Sequence, residues 1–296
     1  MLSSTLRGAR VSLAALLLFV AAAWLVPLIF LGVHSLSHWN AGAAAFTDWP
    51  NDDAYRIALR PDRMIKLRSV FQRGFLLATV ELVIAIPFSW ILVRRFSAAG
   101  RRLVLASITV PFFCSPFVRS FGWRLLLQRN GPLGEVLTML HAAPRDGISL
   151  AFNEWAVELA LFSGTFAFAV FPLLIAMLQI PKNVWRASES CGARGLQELL
   201  HIALPLSRST LGLAWSSAFL TIVGSSAEVW LVGGSSQHSL ATSIAELFDA
   251  NQLPSAFALG LIAFAISALS TVAAVGIVRL VFRGPVEISR HRDAVL

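Results

Sequence analysis

Pro181–Pro205, PKNVWRASESCGARGLQELLHIALP, is a polar stretch set between two long apolar ones, and its reading decides the fold. A connector that only returned the chain to a membrane would need no internal structure. This one carries a helical pattern on each side of Gly192. After the glycine, Leu196, Leu199, Leu200, Ala203 and Leu204 recur at the spacing of one α-helical face. Arg194, Gln197, Glu198 and His201 fall on other faces. The pattern predicts a short amphipathic helix, a glycine turn, and a second helix stopped by Leu204-Pro205. Its shape suits pressing against another protein.

The flanking sequence makes the chain an integral membrane protein. Of its 296 residues 56% are hydrophobic and 14% charged, outside the balance of a soluble domain. A helical crossing of the hydrocarbon takes about 20 residues. Six segments meet that length, near Val11–Val33, Arg73–Val93, Leu103–Trp123, Trp155–Leu178, Ser209–Val232 and Ser255–Leu280. Pro111 and Pro116 interrupt the third, while Pro87 and Pro172 sit inside the second and fourth. Buried prolines of this kind imply a packed bundle whose neighbours satisfy the freed carbonyls. The first segment carries 23 uncharged residues, too many for the apolar core of a signal peptide, and is expected to remain as a helix.

Arginine placement sets the expected orientation. With the N-terminus inside, fourteen basic residues lie on the inner side and ten on the outer, six of these in the long Trp39–Arg73 region where length weakens the rule. The short loop Gly233–Pro254 has no Lys or Arg and is placed outside. Six spans with both termini cytoplasmic follow, with Trp39, Trp49, Trp123, Trp155 and Trp230 near one interface and Trp90, Trp185 and Trp215 near the other. The net charge of +8 is explained by arginine flanking the spans, so no nucleic acid is implied. Cys114 and Cys191 fall at different depths, and no disulfide is expected.

Catalytic chemistry finds little support. His34 and His38 share a helical face at i, i+4, but no Cys, Asp or Glu lies close in sequence to complete a metal site. The two lysines, Lys66 and Lys182, follow Ile65 and Pro181, so neither belongs to a Gly-Lys-Ser/Thr phosphate loop. The six histidines are scattered and no span holds a catalytic pair, which argues against a membrane-embedded enzyme.

The loop resembles the "EAA" cytoplasmic loop of permease subunits of binding-protein-dependent ABC importers. In that pattern Glu-Ala-Ala is followed by a glycine four residues after the last alanine, and then by a Leu-Pro thirteen beyond the glycine. Gly192 and Leu204-Pro205 keep the last two elements, whereas the opening triplet is Arg186-Ala187-Ser188, an arginine in place of the acid. Pro111-Phe112-Phe113, Phe117–Trp123 and Arg129-Asn130-Gly131-Pro132-Leu133 are similar to the third-helix region of the polyamine (spermidine/putrescine)-type permeases. Leu231-Val232-Gly233-Gly234 and Asn251–Ala256 match the same group. The resemblance covers most of Gly74–Leu280.

What the resemblance implies is an all-α, six-helix type I ABC importer permease fold with a coupling helix between helices 4 and 5. Residues 1–72 would hold the N-terminal tail, first helix and outer loop. Residues 73–283 would form a five-helix core with the EAA-like loop at 181–205, and 284–296 a cytoplasmic tail. The implied partners are a second, related permease chain, two cytoplasmic ATPase subunits and an outer solute-binding protein, in a bacterial inner membrane. The chain itself would hold no cofactor; ATP and Mg would bind the ATPase. Arg186, Ala187, Ser188, Glu189, Gly192, Leu196, Leu199, Leu200, Leu204 and Pro205 would form the coupling loop. Arg186 removes the acid that a helix start favours. Glu189 can replace it, or this half can couple more weakly than its partner.

Ionisable groups at membrane depth are costly and are pathway candidates by default. Glu81 falls mid-way along the second span and Glu228 near the end of the fifth, with Ser225 and Ser226 on its approach. Two acids facing a cavity would suit a polyamine-like cation; packing residues bonded to neighbours are the plainer reading. Arg119 and Arg124 are expected to snorkel to headgroups. Iron, an opine, an organophosphonate or an osmolyte stay open as alternative solutes.

Overall fold

A computed structural model describes residues 2–128, 131–140, 150–234 and 237–282. The expected tail at 284–296 lies outside them, as do Arg129 and Asn130 of the third-helix motif. The chain divides into two compact units, one of residues 1–70 with 238–266 and one of 71–237 with 267–296.

In the first unit, α1 (Leu2–Ser35) leads to a short antiparallel hairpin, β1 (His38–Asn40) with β2 (Ala45–Thr47), in the register Trp39 opposite Phe46. The hairpin was not foreseen in an otherwise helical chain. It is nailed by rings: His34 packs on Phe30 at 4.2 Å and Phe46 at 4.1 Å between centroids, and Phe46 also meets Trp39 at 4.8 Å. Helix α2 (Asp53–Ala58) follows, tied back by the hydroxyls of Tyr55 and Ser35, 3.0 Å apart.

Helix α3 (Pro61–Arg95) begins well before the expected span and runs unbroken through Pro87. Helix α4 (Ala98–Phe113) starts on Ser97, whose side chain accepts from the Gly100 N–H. Then come α5 (Pro116–Leu127), α6 (Pro132–Met139) and α7 (Glu154–Leu178), the last capped by Asn153. The polar stretch holds α8 (Lys182–Ser190), α9 (Leu196–Glu198), a π-helical turn at Leu199–Ala203 and α10 (Leu204–Leu206). Helices α11 (Arg208–Gly224), α12 (Ala227–Gly233), α13 (Leu240–Asp249) and α14 (Leu253–Val281) complete the order.

Among the described residues, four helical stretches are long and apolar enough to cross a bilayer: Ala15–Ser35, Pro61–Arg95, Glu154–Leu178 and Leu253–Val281. The expected third and fifth spans are instead bent pairs. Helix α4 and the segment from Pro116 turn by 100°, and α11 and α12 by 56°. Counting each pair as one crossing gives six. Both breaks have local causes. Pro116 holds Ser115 away from helical backbone, and Cys114 before it is extended as well. Ser225 is likewise extended, its hydroxyl donating to the Thr221 carbonyl at 2.8 Å.

The core of the second unit is the seam of α7 against α11. Ala167, Ala214 and Ala218 are buried along these helices, and small side chains let two backbones approach. Ser217 donates across it to the Phe168 carbonyl at 2.9 Å. Trp215 Nε1 donates to Thr79 Oγ1 at 3.1 Å, tying α11 to α3.

Candidate functional site

The loop at 181–205 is folded onto the ends of α3 and α7. Trp90, Met177, Ile180, Trp185, Leu199 and Ala203 form one buried apolar cluster. Trp185 and Ser188 are the inward residues of α8, while Arg186, Ala187 and Glu189 are exposed. The helix ends in a turn in which the N–H groups of Gly192 and Ala193 donate to the Glu189 and Ser188 carbonyls. Gly192 takes φ +80°, as the glycine turn requires. A second left-handed position follows at Gly195, φ +58°. Sequence reasoning passed over it, though Gly195 sits directly before the helical run.

Two expectations about the second helix need correction. Pro205 does not stop it; it lies within α10, and α11 begins three residues on. The π-helical turn ahead of it explains how, since a wider turn moves the carbonyl that the proline ring would strike. Nor do the leucines form one outward face. Leu199 and Ala203 are buried in the cluster, Leu204 is half-buried, and only Leu196 and Leu200 are exposed, at 66% and 46%.

Arg94, at the end of α3, is the hub of this arrangement. Its guanidinium pairs with Glu189 of α8 and, at 2.6 Å, with Glu198 of α9. It also stacks over the Trp185 ring, 4.9 Å from the centroid. One side chain thus joins a membrane helix to both helices of the loop. Glu198 is 4% exposed, so removing Arg94 strands a buried acid, at a cost above the about 1–3 kcal/mol of a neutral polar group. We expect Arg94→Gln to loosen the loop, read as faster tryptic cleavage after Arg186 and Arg194 in the folded protein. Unchanged cleavage would show that Arg94 does not hold it.

The candidate acids are both buried. Glu81 is fully buried; Thr165 Oγ1 of α7 lies 2.5 Å from its Oε1 and 2.8 Å from the Leu161 carbonyl. Its Oε2 has no hydrogen-bond partner among the described residues. Glu228 is 1% exposed in the first turn of α12, a position the helix dipole favours for an acid. Its Oε1 receives Arg119 Nη2 of α5 at 2.5 Å. The same guanidinium donates to the Pro111 carbonyl at 2.9 Å. Arg119 therefore does not snorkel to a headgroup: it joins the break between α4 and α5 to the break between α11 and α12. Gly164 of α7 makes the room, because a Cβ there would lie under 3.0 Å from the guanidinium. Arg124 stacks over Phe152 at 5.4 Å. Ser225 and Ser226 form the α11–α12 break itself, beside Glu228 in sequence.

No family model matches the chain. It is 31% identical over 132 residues to the spermidine/putrescine transport system permease protein PotB of Escherichia coli (strain K12), which covers 44% of this chain and 47% of that protein. The sulfate transport system permease protein CysW of the same organism is 29% identical over 145 residues, 49% of this chain and 47% of that one. The inner membrane ABC transporter permease protein YdcU is 25% identical over 147 residues, 46% of each. The chain thus spans about half the length of the curated relatives it matches. Among solved structures, a chain of a bacterial ABC transporter involved in the import of the acidic polysaccharide alginate superposes with a TM-score of 0.72. That match is 15% identical and covers 95% of this chain and 99% of the other. The same transporter in complex with a periplasmic protein bound to an alginate pentasaccharide gives 0.73. The fold is that of an ABC importer permease, and the relatives are transport subunits.

Proposed function

We propose that this chain is a transmembrane permease subunit of an ATP-driven solute importer, and that the loop at 181–205 couples it to a separate ATPase. The observation that carries the reading is Arg94. A loop meant only to connect two helices gains nothing from ion pairs that lock both its halves to α3. A loop that transmits force needs that rigidity. The partner-facing surface then consists of Arg186, Ala187, Glu189, Gly192, Leu196 and Leu200, all exposed. Leu199 serves as its internal anchor. The remaining partners are a second permease chain and a solute-binding protein on the far side of a bacterial inner membrane. ATP and Mg belong to the ATPase.

For the solute we propose a polyamine-like cation, supported by the similarity to PotB and by Glu81, whose second carboxylate oxygen has no hydrogen-bond partner among the described residues. A second reading is an anionic solute, favoured by the similarity to CysW and by Arg119, which neutralises Glu228. One experiment addresses both levels. The chain, tagged and purified from mild detergent, is expected to bring down an ATPase, a second permease and a binding protein. ATP hydrolysis should appear only in the assembly, and the solute eluted from the binding protein identifies the cargo. Robust ATP turnover by the isolated chain, with contaminants excluded, would sink the permease reading; an anion on the binding protein would replace only the polyamine part.

A further inference from the structure

Beside the α7–α11 seam, α11 and the last three turns of α14 enclose a groove with one charged end. At that end, a cavity of about 360 Å³ is lined by Arg208, Ser209, Gly212, Val275, Arg279 and Phe282, among others. It adjoins an apolar cleft of about 340 Å³ that shares Gly212 and Val278 and continues along Phe75, Trp215 and Ala274 toward Ser270. No Asp or Glu lines either part among the described residues. Arg208 is oriented by the Phe282 carbonyl, to which it donates at the end of α14. Arg279 is exposed beside it.

We propose that this groove holds an anionic phospholipid, with its phosphate between Arg208 and Arg279 and one acyl chain lying over Gly212, Trp215 and Ala274. The proportions fit. Ser270 to Arg279 spans nine residues, roughly 13 Å of helix at 1.5 Å per residue. One leaflet of a bilayer core about 30 Å thick is of the same depth. Basic pockets between membrane helices attract acidic headgroups for the reason seen here: charge at the interface end, hydrocarbon beyond it. A partner helix is the weaker fit. It would be about 10–12 Å wide, and only one bringing acidic residues would suit a groove whose described lining holds Arg208 and Arg279 but no Asp or Glu.

The test uses the full chain in detergent and native mass spectrometry, with phosphatidylglycerol and phosphatidylcholine of identical acyl chains. One phosphatidylglycerol should be retained in preference to phosphatidylcholine. Arg279→Gln, at an exposed position, should weaken its retention about fivefold and leave phosphatidylcholine unchanged. Ala274→Phe, which fills the cleft, should lower retention of both. Arg279→Gln also guards against misfolding of an Arg208 variant, because Arg279 is exposed and makes no hydrogen bond or ion pair among the described residues. Equal retention of the two lipids, or no change on Arg279→Gln, overturns the proposal. So does displacement of the lipid by inorganic phosphate alone, which would make this a site for a soluble anion. Disulfide capture of another subunit through Ala274→Cys in the assembled transporter would assign the groove to a protein and overturn it equally.

Discussion

Gly192→Val is expected to abolish solute uptake while leaving the chain inserted in the membrane. Gly192 sits at φ +80°, and nothing lies within 4 Å of the place a Cβ would take. The penalty is therefore torsional, not steric: a β-branched residue must hold a left-handed conformation, at about 1–3 kcal/mol. That is small against the insertion of several apolar helices. It is large for a turn whose two N–H groups close α8 onto the Glu189 and Ser188 carbonyls. Relaxation of the turn would move Leu196 and Leu200 away from the exposed surface of α8 while Leu199 stays buried. Gly192→Asn, which tolerates positive φ, should keep most uptake. Arg186→Glu, restoring the acid of the resembled motif at the middle of α8, should be tolerated or improve coupling. Uptake measured beside ATPase copurification decides the matter. Normal uptake by Gly192→Val would remove this loop from the coupling role.

The parts of this structure that the sequence makes legible are those set by local rules. Apolar length marks the helices, and Gly192 between two helical patterns marks the turn. What resists reading comes from pairs distant in the chain. Arg119 and Glu228 stand 109 residues apart, and an arginine near a helix end is ordinarily well served by headgroups. The clue was a glycine inside an apolar span: Gly164 has no turn to make, so its missing side chain signals a close approach. The burial of the leucine face was misjudged for a different reason. Five residues at α-helical spacing say that a helix is amphipathic but not which neighbour claims its apolar side. Here Trp90 and Trp185 claim Leu199 and Ala203. The π-helical turn arises from Pro205, which the α-helical pattern had taken as a stop. Bends at Pro116 could be anticipated; the one at Ser225 rests on a serine hydroxyl competing for a backbone carbonyl, a signal too common to single out.

Glu228→Ala and Arg119→Ala are each expected to destabilise the chain strongly, and for the same reason. The ion pair has 12% and 2% side-chain exposure, so either substitution leaves a charge buried without its partner. Such a loss costs about 3–5 kcal/mol in protein interiors. Replacing both partners by leucine should recover most of the stability, because a well-packed apolar pair avoids the desolvation penalty altogether. Uptake by that double variant then separates two roles. Recovery of both stability and uptake would make the pair a packing device. Recovery of stability alone would mean that the charge itself, held where both broken helices meet, serves the pathway. Gly164→Ala provides an independent check: its Cβ would strike the guanidinium without removing any charge, and it should reproduce the instability of the single variants. The measurements are thermal denaturation in detergent and solute uptake in cells. Wild-type melting by both alanine variants would sink the buried pair and, with it, the claim that Arg119 joins the two helix breaks.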